Sequence, residues 1–360
     1  MNNRIKIDNY MLEKIIGKGQ HSDIFFASKD QTSEKFAIKK YVKELLNDTL
    51  LRNGLKNEII LLKKISHPNI IKFEDIKKTQ YGFYLIYEYC NGEKLSKIIQ
   101  DYIQKYKKQI SEEIVQYLMK QIIDIIGYMK SKGIFLTELD GRGIFNYDSI
   151  NLNNMLINFD SEKDKENINL MNAKIKMINF KKAYKDDDIN TPYDFFVDDT
   201  RLYKKTVKKR EDTIIFCLGK MCYELLTGKS PFEGNNHEEI FQKIEEGNYF
   251  IPNNLSIEAI NFLNSTLQNT DKFRVSLDDL FKLDFLCKNV KDFHFCDFNN
   301  MIKIDRLSLN IKGIIVNINN NKDKEVLKIN EKEKNNELSN KENPFNNLKD
   351  SVEININKND

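Results

Sequence analysis

Short runs of alternating apolar and polar residues, separated by glycine and polar turns, occupy the start of the chain: Tyr10 to Ile16, Asp23 to Ser28 and Lys35 to Lys40. A period of two predicts strands, so these runs predict a small antiparallel sheet. The spacing then changes. Leu55, Ile59 and Leu62 recur as on one face of a helix over residues 50–65, and strand-like runs return at Ile70 to Phe73 and Phe83 to Tyr89. From Leu95 the pattern is mostly helical, with Ser111-Glu-Glu as an N-terminal capping signal ahead of an apolar-periodic run. Further helical stretches cover Asp212 to Thr227, Ser256 to Gln268 and Asp278 to Phe285. The whole predicts an α+β protein of two lobes: a small β-rich lobe at about 10–91 and a larger helical one at about 92–285. Residues 1–9 read as an extension. Residues 286–360 read as a largely disordered Asn/Lys-rich tail with one apolar stretch, Leu307 to Val316.

Composition narrows the function. The 360 residues carry 57 Lys+Arg against 54 Asp+Glu, scattered along the chain, which gives no basic face for nucleic acid. Five cysteines stand without C-x-x-C or Cys/His spacing, so a disulfide framework or zinc site is not expected, and reduced thiols suit a cytoplasmic protein. The most apolar stretch, Gln121 to Met129, is interrupted by Asp124 and is too short to span a bilayer. Met1 is followed by polar residues, so neither a signal peptide nor a membrane anchor is expected.

The candidate chemistry begins at Ile16-Gly-Lys-Gly-Gln-His-Ser-Asp-Ile24. By itself this is an ordinary glycine turn between strands as readily as a phosphate-covering hairpin, and Ser22 stands where a third glycine would be. Phe36-Ala-Ile-Lys39 follows, with Ala37 and Lys39 on one strand face and Lys40 on the other; then come Glu58 on the helix, His67-Pro-Asn-Ile70, and Tyr84-Leu-Ile-Tyr-Glu-Tyr-Cys-Asn-Gly92. In this order and spacing the chain resembles a protein kinase of the serine/threonine class. Glu88-Tyr-Cys-Asn-Gly92, with an insertion at residues 158–167, is similar to the branch that includes the autophagy-initiating kinases. The resemblance implies an ATP pocket formed by Ile16, Gly17, Gly19, Ile24, Ala37, Lys39, Glu58, Tyr87 as gatekeeper, Glu88, Cys90 and Leu156, with a Lys39–Glu58 ion pair. It implies a hydrophobic column of Leu62, Phe73, Tyr147 and Phe180 joining the lobes.

The groups that transfer phosphate fit less well. The catalytic loop aligns with Tyr147-Asp-Ser-Ile-Asn-Leu-Asn-Asn-Met-Leu-Ile157 in two registers. One puts Ser149 at the catalytic aspartate and Asn154 at the metal-binding asparagine; the other makes Asp148 the base, opposite Asn153. Upstream, Lys132 to Asp140 also resembles the approach to that loop and offers Glu138, at the cost of an 11-residue insertion. The D-F-G aspartate, which normally holds magnesium, is Asn179, followed by Phe180 and Lys181; a neutral amide is a poor magnesium ligand. Around Asn190-Thr-Pro to Asp198 only Thr191, Pro192 and an acidic residue persist from the substrate platform, Asp198 is expected to pair with Arg274, and Ile214 replaces a bracing aspartate. Two functions follow as expectations. The first is a pseudokinase that holds ATP weakly or without metal, with magnesium doubtful, and binds a protein partner such as a related active kinase. The second is an active serine/threonine kinase with atypical catalytic residues.

Overall fold

The computed structural model describes residues 5–19, 21–32, 34–136, 150–181, 183–185, 200–269 and 274–287. Strands β1 (Ile5–Ile7), β2 (Tyr10–Gly19), β3 (Ser22–Lys29), β4 (Lys35–Val42), β5 (Phe73–Thr79) and β6 (Gly82–Glu88) form one antiparallel sheet in the order β1-β2-β3-β4-β6-β5. Helix α1 (Thr49–Lys64) lies between β4 and β5. The sheet curls until its edges meet: Lys77 on β5 bonds Asp8, in the turn after β1, at 2.8 Å.

Two faces of β4 carry different work. Phe36 and Ile38 pack outward with Ile7, Tyr10, Leu12, Tyr84 and Ile86 in a small core. Ala37, Lys39 and Tyr41 point the other way, and Tyr41 joins Leu55, Ile59 and Leu62 of α1 in a larger core that continues into the helical lobe. Lys40 lies on the outer face over the Tyr84 ring, as its odd-even position requires.

The second lobe is built on α2 (Leu95–Tyr106) and α3 (Glu112–Ser131), followed by β7 (Ile134–Phe135), β8 (Met155–Phe159), the short α4 (Glu162–Glu166), β9 (Ala173–Met177) and β10 (Tyr184–Lys185). Then come α5 (Thr200–Thr227), α6 (His237–Glu246), α7 (Ile257–Thr266), α8 (Leu277–Leu280) and α9 (Asp284–Cys287). β8 and β9 form a hairpin. Gly92 donates its N–H to the Ile157 carbonyl at 3.1 Å, and a Cβ there would come within 2.4 Å of that oxygen, so only glycine lets the segment after β6 dock on β8.

Three sequence expectations change. The residues 5–7 read as an extension form an edge strand, because Ile5 and Ile7 continue the alternation of β2 across a turn at Asp8, whose φ is 54°. The run Ile70 to Phe73 is not a strand: Ile70 makes one bridge to Met177, and β5 starts at Phe73. Ser111 occupies the N-cap of α3 without a side-chain cap bond; the Glu112 carboxylate instead accepts the N–H of Ser256, at 2.7 Å, where α7 begins. Among the described residues no helix is long and apolar enough to cross a membrane.

Candidate nucleotide site

The cleft lies between the two lobes. Its roof is the β2–β3 hairpin, in which Gly17 pairs with Ile24 and Gly19 with Ser22. A Cβ on Gly19 would sit 2.9 Å from Ser22 Oγ, so a side chain there would push the Ser22 hydroxyl aside. Ile16 is exposed and Ile24 half-buried, an apolar lining on a hairpin that touches little else. Ile24 pairs with Lys39 and Ala37 with Tyr87. The register therefore brings Gly17, Ile24, Ala37, Lys39 and Tyr87 to one neighbourhood. On the β8–β9 side Leu156 is half-buried, paired with Lys176.

At the end of β6, the Glu88 carboxylate accepts from Lys176 Nζ at 2.7 Å and from the Lys72 N–H at 2.8 Å, which fixes the strand exit. The Cys90 side chain is buried, and burial pushes its thiol up to about 12, so it is no nucleophile. Its backbone N–H donates to no backbone carbonyl among the described residues, which leaves a donor for a ligand edge.

Lys39 is half-buried. Burial acts to lower its pKa, but Glu58 and Tyr41 outweigh it, and the net shift is upward. The expected Lys39–Glu58 contact is not made: no oxygen of Glu58 lies within 4.0 Å of Lys39 Nζ, and Glu58 Oε2 is buried without a hydrogen-bond partner. Tyr41 stands beside Lys39. Two residues along the same strand face, its ring lies 5.5 Å from Lys39 Nζ and takes the ammonium as a cation–π partner. The Tyr41 and Tyr87 hydroxyls are also buried and unpartnered, and burial, Glu58 and Tyr41 together hold the Tyr87 hydroxyl well above its ordinary pKa.

Asn154 ends a short 3-10 turn, Leu152–Asn154, whose N-cap is Asn151. Its carbonyl accepts the Ile178 N–H at 2.8 Å, and its Oδ1 accepts a hydrogen bond from Asn179 Nδ2 at 3.2 Å. The neighbouring Asn153 turns away, accepting from Ser96 Oγ of α2 at 2.6 Å. Asn179 has φ 74°, in the left-handed region that asparagine tolerates better than most residues. Phe180, beside it, is fully buried and shares the large core with Leu62 and Phe73. Lys181 Nζ lies 5.0 Å from the Tyr41 ring centre. Among the described residues no cluster of three or more His, Cys, Asp or Glu side chains is arranged to hold a metal.

Ser149 and Asp148, with Tyr147, Glu138, Thr191, Pro192 and Asp198, lie outside the described residues. Arg274 donates to the carbonyls of Gln268 and Asp212 and sits 5.0 Å over the Phe216 ring. Ile214 is buried, as an apolar replacement for a bracing carboxylate would be. Sequence reading missed Tyr41 and the pairing of the two asparagines. Tyr41 was readable, since it follows Lys39 by two on one strand; the amide pair, 25 residues apart, was not.

A curled antiparallel sheet over a helical lobe, with a glycine hairpin, a half-buried lysine and a hinge with a free donor between them, defines a protein-kinase-like fold. The sequence matches the protein kinase domain family over residues 10–286, and the chain belongs to that family. Its relatives include calcium-dependent protein kinase 5 of Plasmodium falciparum, 29% identical over 290 residues, which cover 78% of this chain and 46% of the relative. They also include the serine/threonine-protein kinase atg1 of Dictyostelium discoideum, 26% identical over 292 residues (80% and 40%), and ATG1 of Kluyveromyces lactis, 24% identical over 322 residues (80% and 37%). The chain thus spans less than half the length of these relatives.

Proposed function

We propose that this chain is a catalytically impaired member of the family, a pseudokinase that holds a nucleotide and works by binding another protein. The observation that carries the reading is the hydrogen bond from Asn179 to Asn154. Asn154 aligns with an asparagine that the family itself uses, but Asn179 replaces the aspartate, and its amide donates to Asn154 Oδ1, the oxygen that a metal would take. Magnesium is usually held through one or two carboxylates, and this pair offers none, with the Asn154 oxygen already taken, so the residues present fit magnesium poorly. Loss of metal electrostatics and, in the Ser149 register, of the general base leaves little of the machinery for phosphoryl transfer. The pocket for adenine and the packing between the lobes are the parts that remain. Such a protein suits an allosteric partner of a related active kinase in the cytosol.

The test is phosphate transfer from labelled ATP to generic substrates and to the protein itself, with Lys39→Met and Asp148→Asn beside the wild type. The expected result is no transfer above the two variants. Robust transfer abolished by both substitutions would establish an active kinase and overturn the reading.

A further inference from the structure

We propose that Lys181 supplies the positive charge that a metal ion would otherwise bring, so that the cleft takes a nucleoside triphosphate as the metal-free anion and is weakened by magnesium. The inference rests on the nucleotide reading above and adds to it the charge state of the ligand and the residue that selects it.

Charge and geometry carry it. Lys181 follows Phe180, whose side chain is fully buried, so its backbone is anchored. It is not among the residues with positive φ, so a side chain at this position is unstrained. Its ammonium and that of Lys39 share one ring: Lys39 Nζ is 5.5 Å and Lys181 Nζ 5.0 Å from the Tyr41 centre. Two cations thus lie against one buried tyrosine ring on the strand face that carries Lys39. Against them stands one carboxylate, Glu58, which makes no ion-pair contact with Lys39 and keeps Oε2 without a hydrogen bond. Farther along, Glu88 is paired with Lys176, and Lys18 stands opposite Asp23 across the hairpin. Asn154 and Asn179 add none. Lys39, Lys181 and Glu58, taken together, carry an excess of one positive charge.

A divalent cation entering here meets two ammonium groups and two amides already bonded to each other. A triphosphate without metal meets two lysines and brings the anion that the excess charge lacks. Magnesium bound to the triphosphate removes two of its negative charges, and with them part of the attraction to Lys39 and Lys181.

The experiment is calorimetric titration of the full chain with ATP in EDTA, with ATP in saturating magnesium at matched ionic strength, and with adenosine, for the wild type, Lys181→Met and Lys181→Gly. The wild type is expected to bind metal-free ATP roughly tenfold more tightly than magnesium ATP, the scale of one cation–phosphate contact in a partly solvated cleft. Both variants should lose roughly that factor for metal-free ATP while adenosine binds as before. Adenosine binding with no preference for metal-free ATP, or Lys181 variants that keep the wild-type ATP affinity, would overturn the role of Lys181 and leave the nucleotide reading intact. Binding of neither ATP nor adenosine by the wild type would overturn both.

Discussion

Replacing Tyr87 by phenylalanine should make this protein more stable, although it deletes a polar group from the functional cleft. Tyr87 is buried and its hydroxyl has no hydrogen-bond partner. Leaving such a group dry costs roughly 1–3 kcal/mol, the penalty of stripping it from water without replacement. Phenylalanine keeps the ring, and with it the edge-on contact to Phe73 at 5.6 Å between centres. The substitution therefore removes the penalty and little else. A gain of about 1 kcal/mol is expected, which raises the melting temperature by about 2–4 °C in a domain of this size. The pH dependence has a definite sign. The folded hydroxyl is held well above its ordinary value of 10.0, first by burial and then by Glu58 and Tyr41, so it is protonated in both states at neutral pH and the gain is flat there. Above about pH 10 the unfolded wild type releases this proton and the folded one does not, so the wild type weakens and the advantage of Tyr87→Phe grows. Urea and thermal denaturation of both proteins, repeated between about pH 7 and pH 10.5, measure this. A Tyr87→Phe protein that is less stable than the wild type would show that the hydroxyl is satisfied and would refute the reasoning.

Two further predictions concern the frame around the site. Phe180→Ala empties a fully buried position in the core shared by both lobes and should cost about 3–5 kcal/mol by chemical denaturation; a loss under about 1 kcal/mol would show that this core does not bear on Phe180. Lys77→Met removes the cation that bonds Asp8 at 2.8 Å and Asp75 at 2.9 Å, joining the two edges of the curled sheet, and should cost about 1 kcal/mol after allowance for solvent screening. Burial alone would depress the Lys77 pKa, but hydrogen bonds to the two aspartates raise it from 10.5 to about 12. Its contribution is thus complete below about pH 10.5 and is lost as pH rises through about 12. The stability gap between Lys77→Met and wild type should stay constant from neutral pH to about pH 10, and a gap that closes within that range would overturn the clamp.

Most of the sheet was legible because β2 buries Tyr10 and Leu12 and β4 buries Phe36 and Ile38 at alternate positions, and α1 because Leu55, Ile59 and Leu62 share a face. Two boundaries were not. β5 reads Phe-Glu-Asp-Ile-Lys-Lys-Thr, charged on the solvent side, while the more apolar Ile70 and Ile71 before it are buried by packing rather than by strand pairing. Helix α5 begins at Thr200, twelve residues before the expected start at Asp212, because the stretch between is rich in lysine and shows no apolar period. Within the site, strand parity placed Ala37 and Lys39 on one face, since parity is local. It could not tell whether Glu58 would reach Lys39. The ammonium instead lies 5.5 Å from the Tyr41 ring centre, a tertiary outcome that strand parity does not determine.

The asparagine at position 179 has a physical logic that an arbitrary loss of the acid would lack. The backbone there sits at φ 74°, a conformation most side chains resist and asparagine accepts. Retaining that turn keeps Phe180 seated in the core. The amide also donates to Asn154, tying together two segments that a metal ion, bound by both, would otherwise join. A small apolar residue would have removed the charge and the tie at once. Asparagine removes only the charge. On the reading proposed above, the site gives up magnesium while the Asn179–Asn154 bond and the seat of Phe180 keep its segments joined, which is the property that a protein working through its shape must preserve.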